Sequence, residues 1–365
     1  MRQLKEKGVI NNKVRFSVGD LFLKQSKFTL YNYSEELSGN ENDIFKPYRD
    51  IIDYENFYIE NRWRLQGIQT DFSFEFDRFV RGLDFDFFVT RPRGSIQIDE
   101  NTYSSDLLLS GGSIFSEINK KLKLSANYIN LFELGSSGTN NISVRNPVFD
   151  ISLIHHFGKE KYYIQQRLQT GFSQRYWLHS ELENGRTDSI SHDIKGMYFE
   201  LDNKYIKKDS TLFLTVGYRY VDPDFRSSGA QTRRLDYTAG NITSIYPLYT
   251  NMSLIRPPSV FDLVSDYRLY NQDISSLLML FNPVYSNVLP YGDATPNRTG
   301  VYLNARISNK NKLIIAKINS GLFKEVIGQG TEKKRNFALI KGSLKINFHR
   351  WLKWGKELSL SSSSE

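Results

Sequence analysis

Hydrophobic and polar residues alternate along most of the chain. In residues 211–220, Leu212, Leu214, Val216, Tyr218 and Tyr220 fall on one side of an extended backbone. Thr211, Thr215, Gly217 and Arg219 fall on the other, with Phe213 the exception. Period two marks β-strands, because successive side chains point to opposite faces. The same pattern in Phe, Tyr, Ile, Leu, Val and Thr predicts about fourteen strands. They cover residues 14–19, 28–33, 57–76, 83–91, 107–118, 122–132, 148–157, 162–172, 196–205, 211–220, 301–307, 313–322, 337–348 and 357–361. Residues 57–76 read as one long strand with a bulge at Gly67, where the apolar phase flips from Trp63 and Leu65 to Ile68, Phe72 and Phe74.

The connections alternate in length. Tight links at 119–121, 158–161, 207–210 and 308–312 are separated by long ones at 34–56, 92–106, 133–147, 173–195, 221–299 and 323–336. A soluble sandwich imposes no such order, whereas a membrane barrel favours short turns on one rim and long loops on the other. Nearly every strand also has one charged face. The candidate lumen-lining residues are Glu60, Arg62, Arg64, Asp84, Asp86 and Arg167, with Glu200, Asp202, Lys204, Arg219 and Arg306. Mixed charges on such a face can brace a barrel internally or set a field that filters solutes.

A soluble sheet system needs two apolar faces meeting in a dry core, while a closed barrel needs only one, turned to lipid. Aromatic residues gather near strand ends, as at Tyr162, Tyr163, Tyr218 and Tyr220, where barrels carry their interfacial girdles. The expectation is an all-β, antiparallel up-and-down transmembrane β-barrel of about 14 or more strands, one domain over 1–365 or part of a larger barrel. The alternative is a soluble surface β-protein that binds polysaccharide or protein.

Residues 221–299 hold seven of the ten prolines, which argues against strands there. A helix is predicted at about 259–281, where Leu263, Tyr267, Tyr270, Ile274, Leu277, Leu278 and Phe281 recur at three- and four-residue steps. This insertion can plug the lumen, cap the outer mouth or dock a partner. Asp222 and Asp224 read as turn formers. Arg226, Arg233 and Arg234 are candidate contacts for lipopolysaccharide or an acidic partner.

Composition narrows the function further. Mean hydropathy is −0.46 and no 18-residue apolar run occurs, so no membrane-spanning helix is expected. There is no cysteine, which excludes disulfides and thiolate metal sites. The net charge of +8 is spread along the chain, and nucleic acid is not an expected partner. Of the five histidines, His155 and His156 are adjacent and point to opposite strand faces. No hydrolase, metalloprotease or nucleotide motif is present, so no catalytic residue, metal or cofactor is expected. The amino terminus has no apolar stretch of a secretory signal, and both ends are expected to be cut from a longer chain.

The segments WRLQGIQTDFSFEF and GYRYVDPDFRSSGAQTRR, the Tyr-, Phe- and Asn-rich strands and the Lys/Asn turn at 308–312 resemble the large outer-membrane β-barrels of Bacteroidota-type bacteria. The resemblance is one of style over the whole length. It implies an outer-membrane location, a signal peptide and insertion by the barrel-assembly machinery. It also implies lipid and lipopolysaccharide as surroundings, and other envelope proteins as partners where such barrels serve secretion or surface assemblies. Two features of that group are missing: a plug domain ahead of the barrel and a terminal strand ending in an aromatic residue.

Overall fold

The computed structural model describes residues 4–31, 58–59, 62–76, 80–94, 96–97, 103–104, 106–134, 140–159, 162–183, 186–230, 235–236, 253–254, 293–328, 332–356 and 358–364. The alternating segments pair with their neighbours in sequence, because hairpins are the cheapest partners for extended chain. Fourteen strands form one antiparallel meander. They are β1 (Lys5–Ile10), β2 (Val14–Leu23), β3 (Arg62–Glu75), β4 (Gly82–Arg93), β5 (Asp106–Asn119), β6 (Leu122–Leu134) and β7 (Asn140–Lys159). The second half is β8 (Tyr162–Glu183), β9 (Arg186–Lys207), β10 (Leu212–Val221), β11 (Arg298–Ser308), β12 (Ile314–Lys324), β13 (Asn336–Asn347) and β14 (Ser359–Ser364). A five-residue helix, α1 (Phe348–Leu352), joins the last two. Among the described residues β1 and β14 are the two edges of the sheet.

Strand direction sorts the connections onto two rims. A turn rim carries the links at 11–13, 76–81, 120–121, 160–161, 208–211, 309–313 and 348–358. A loop rim carries those at 24–61, 94–105, 135–139, 184–185, 222–297 and 325–335. Local chemistry explains the tight turns. Asn11 and Asn12 both adopt left-handed backbone at the centre of a turn closed by Lys13 N donating to Ile10 O at 3.0 Å. Asp209 accepts from Thr211 Oγ1 at 2.6 Å and from Thr211 N at 3.0 Å, and the hydroxyl first and the amide second pull its carboxyl down to about 2.

Four expectations are corrected. Of the strand expected at 28–33, residues 28–31 are not extended in the sheet and 32–33 lie outside the described residues: Lys27, Phe28 and Thr29 form a turn, and Phe28, Thr29 and Leu30 are fully buried. Lys5–Ile10 supplies a strand instead. Residues 57–76 are not one strand either, since Tyr58–Ile59 folds back on β3, pairing Tyr58 with Trp63 and Ile59 with Arg62. Nor is Gly67 a bulge, because pairing with β2 runs through it without a shift and the ladder to β4 starts at it in the same register. Finally, much of 133–147 and 173–195 is not irregular. The β8–β9 ladder continues to the pair Glu183–Arg186.

The sheet is rolled. Asn146 on β7 accepts from Ser228 N at 3.0 Å, and Trp63 Nε1 on β3 donates to Gly229 O at 2.8 Å. In a flat sheet four strand spacings separate β3 from β7, about 19 Å at the usual interstrand distance. Adjacent residues cannot touch both unless the sheet curls around them. The face turned toward residues 24–31 and 222–230 is therefore the inner one.

Candidate functional site

The inner face has two tiers. Toward the loop rim it is apolar: Leu21, Leu23, Trp63, Leu65, Phe88, Leu107, Leu109, Ile129, Leu131, Val148 and Val221 are all buried. Residues 24–31 and 222–230 fold inward over this tier and add Phe28, Leu30, Phe225 and Ala230 to one contiguous cluster. Phe28 stacks on Tyr198 with ring centroids 3.7 Å apart. Toward the turn rim the same face becomes polar and charged.

Two buried carboxylates mark the boundary. Asp150 accepts hydrogen bonds from Asn127 Nδ2 (2.7 Å), Gln169 Nε2 (2.9 Å), Tyr198 OH (3.0 Å) and Ser26 Oγ. Glu200 meets Arg219 Nη2 at 2.7 Å, Arg167 Nη2 at 3.1 Å and Lys27 Nζ at 3.3 Å, and accepts from Tyr302 OH at 3.0 Å. Arg167 also pairs with Asp202, and Arg219 with Asp293. Lys27 lies 3.4 Å from Asp293. Three cations thus meet three carboxylates, and the charge balances inside a region where an unmatched ion is costly. Gln25 donates to Gly112 O on β5 at 2.8 Å, so residues 25–27 are stitched to β5, β7 and β9 in turn.

Two glycines make room for the tyrosines of this network. A Cβ at Gly171 would come within 2.7 Å of the Tyr198 ring, and one at Gly217 within 2.3 Å of the Tyr302 ring. Gly217→Leu should push Tyr302 off Glu200 and destabilise the fold by about 1–3 kcal/mol, the range for overpacking. Urea unfolding of that variant beside the parent checks it, and an unchanged midpoint would refute it.

The outer face is the reverse. A cross-strand row, Leu124–Leu153–Leu168–Leu201–Tyr218–Val301–Leu322, runs unbroken over seven paired strands, and every member is exposed. Directly behind it, the inner row Ser152–Gln169–Glu200–Arg219 is buried. Strand β3 carries both regimes. Above Gly67, Trp63 and Leu65 face inward while Arg62 and Gln66 face outward and are exposed. Below it, Gln69 and Asp71 face inward, and Ile68 and Phe74 are exposed on the outside. β9 repeats the change: Asp193 and Lys195 precede Met197, Phe199 and Leu201 on the outer face. The phase flip in the sequence is this exchange of polarity along a continuous strand.

Of the candidate lumen residues, Asp84, Asp86, Arg167, Glu200, Asp202, Lys204, Arg219 and Arg306 lie on the inner face. Arg167, Glu200, Asp202 and Arg219 are joined in the network above. Asp84 and Asp86 line a separate cavity of about 780 Å³ near the turn rim, with Lys5, Lys7 and Arg15 opposite. Arg62 and Arg64 share the outward phase of β3, because they precede the polarity exchange, Arg62 exposed and Arg64 buried, and Glu60 lies outside the described residues. In the long insertion, the Asp222 carboxylate accepts from Asp224 N at 2.9 Å in a turn. Asp224 is exposed and Arg226 buried, its Nη1 donating to Pro223 O and Phe225 O. Arg233, Arg234, Tyr267, Tyr270 and the helix at 259–281 lie outside the described residues.

Sequence reasoning missed Ser26, Lys27, Asp150, Tyr198 and Tyr302. Asp150 was detectable, since it is the one acid in the run Val148–Phe149–Asp150–Ile151 and shares the inward phase of Val148. Lys27 and Asp293 carried no signal, because they sit in connections whose inward folding has no local pattern. His156 meets Tyr163 at the turn rim, and among the described residues no cluster of metal-ligating side chains occurs. No family model matches the chain, and no curated protein matches it.

Proposed function

We propose that this chain forms an integral β-barrel of a bacterial outer membrane, which acts as a channel or transporter whose lumen is narrowed by its own loop-rim segments. The observation that carries this reading is the exchange of polarity along β3 and β9. Near the loop rim the sheet is built like a water-soluble protein, apolar inside and polar outside. Nearer the turn rim it is inverted, charged inside and apolar outside, which suits only a surrounding of hydrocarbon. From Met197 to Tyr205 the outward stretch, interrupted by Asn203, spans eight residue steps, about 27 Å of strand, and tilting brings this near the roughly 25 Å apolar band of such barrels. Soluble proteins rarely expose apolar patches beyond a few hundred Å². Tyr162 and Tyr205 stack at 5.7 Å where the outer band ends, a place suited to rings with a polar tip.

β1 and β14 run in opposite directions, so they can close the barrel directly or through an even number of further strands. Selection of solutes then rests on the charged inner tier, and access to it on the segments 24–31 and 222–230. A second reading, a barrel used as anchor or docking platform in a secretion or surface assembly, is favoured by the dry apolar seal beneath those segments. The full-length gene product, purified in detergent, should migrate faster in SDS before boiling than after. Planar bilayers separate the two readings: replacing 222–230 by a short Gly/Ser linker should raise conductance for a channel and leave it near zero for a platform.

A further inference from the structure

The helix α1 and the turn after it form a feature that the proposed barrel does not require. Trp351 is 70% exposed, and Trp354, Leu352 and Leu358 are exposed beside it. Interleaved with them are Arg350, Lys353 and Lys356, also exposed. The geometry is fixed rather than frayed. Asn347 donates to Lys312 O at 2.6 Å, and Trp354 N donates to His349 O at 2.9 Å, closing the helix over a left-handed Lys353. Arg350 Nη1 donates to Asn311 O at 3.0 Å, which locks the knuckle to the neighbouring turn, where Lys310 and Lys312 are exposed as well.

Three properties coincide here. The patch sits on the turn rim, continuous with the outer apolar face through Ile314, Leu344 and Leu360. Its apolar members are tryptophans, which settle where hydrocarbon meets headgroup. Its described charged members, Arg350, Lys353 and Lys356, are basic, and basic groups beside an interface attract anionic lipid, while Glu357 lies outside the described residues. A protein partner would not need this alternation of indole and cation. We propose that residues 348–356, with Leu358, form an interfacial foot that binds the anionic phospholipid headgroups of the leaflet on the turn-rim side. This rests on the reading of the chain as a membrane barrel. Insertion of the indoles sets depth, and Arg350, Lys353 and Lys356 gather the headgroups and resist tilting of that edge of the sheet.

Because the chain has no cysteine, single-cysteine variants carry one probe each. A polarity-sensitive fluorophore on Trp354→Cys in the full chain, reconstituted into phosphatidylcholine or into equal parts phosphatidylcholine and phosphatidylglycerol, reads the contact. The same probe on Leu168→Cys reports the outer apolar face. The expected result is a blue-shifted Leu168 probe in both vesicles and a Trp354 probe shifted further to the blue in the anionic ones. That extra shift should vanish when Arg350, Lys353 and Lys356 are changed to Gln. If the Leu168 probe reads hydrocarbon but the Trp354 probe reads water in both, the foot is refuted and the barrel stands. A Trp354 probe equally blue in both vesicles, or unchanged by the Gln substitutions, overturns the binding of anionic headgroups. If both probes read water, the barrel reading fails and the foot with it.

Discussion

Glu200→Ala should destabilise the folded protein by about 3–5 kcal/mol, the usual loss when one partner of a buried ion network is removed. Glu200 is fully buried and touches Arg219, Arg167, Lys27 and Tyr302. Without it, three cations face two carboxylates, and Arg219, itself buried, keeps only Asp293. The loss also leaves Lys27, one of the residues that stitch 25–27 across the inner face, with Asp293 as its remaining carboxylate. Equilibrium urea unfolding from lipid vesicles measures the effect, with the buried Trp63 as reporter. A change within about 0.5 kcal/mol, as for an ordinary surface site, would refute the network as a structural centre. Replacing Lys27 and Arg219 by Met together with Glu200→Leu and Asp293→Asn should recover most of the loss, because no charge is then left without a partner: neutral groups of similar volume replace the ions around Glu200 and the Arg167–Asp202 pair is kept.

Leu168→Arg should cost about 2–4 kcal/mol in a bilayer, the range for a cation placed at the midplane of a barrel's lipid face. Leu168 lies in the middle of the outer row, between Leu153 and Leu201, and is 40% exposed. At a water-facing position of equal exposure the same change would be worth about 0.5 kcal/mol or less. The comparison needs only the unfolding midpoint of the two proteins in the same vesicles. An indifferent Leu168→Arg would mean that the exposed row meets water or another polar medium.

The sequence made strands such as β4 and β9 legible because polar and apolar residues alternate along most of them, with Phe88, Tyr198 and Asn203 the exceptions. Leu83, Phe85, Phe87 and Val89 oppose Asp84 and Asp86, and one face of each strand is unambiguous. It could not say what the apolar face meets. Phe28 and Leu30 alternate as well as any strand, yet they pack under the loop rim instead of pairing, since burial against Tyr198 and Gly229 satisfies the same side chains. Conversely, β1 reads KEKGVI and shows little apolar pattern, because an edge strand bordering a charged cavity needs none. The extended ladder from 173 to 195 was hidden for a related reason. Away from the apolar band both faces of a hairpin can be polar, and the period-two signal disappears while the backbone pairing continues.

The candidate site was half legible. The inward charges of β8, β9 and β10 followed from strand phase once a face had been chosen. Arg62 and Arg64 were misplaced because phase alone assumes that one face keeps one polarity from end to end. In β3 it does not, and the exchange at Gly67 imitates a bulge. The partners that complete the network, Ser26, Lys27 and Asp293, come from connections, where only the folded chain brings them to Asp150, Glu200 and Arg219.

The most direct test is a nitroxide scan of β8 from Ile164 to Phe172, one cysteine at a time, in reconstituted bilayers. Collision with oxygen, which concentrates in hydrocarbon, is compared at each site with collision with a polar nickel complex. Leu168, Thr170 and Phe172 should be rich in oxygen and shielded from nickel, while Arg167, Gln169 and Gly171 should be shielded from lipid, giving a clean period of two. Nickel access at Leu168 and Phe172 equal to that of a water-exposed loop would contradict the account.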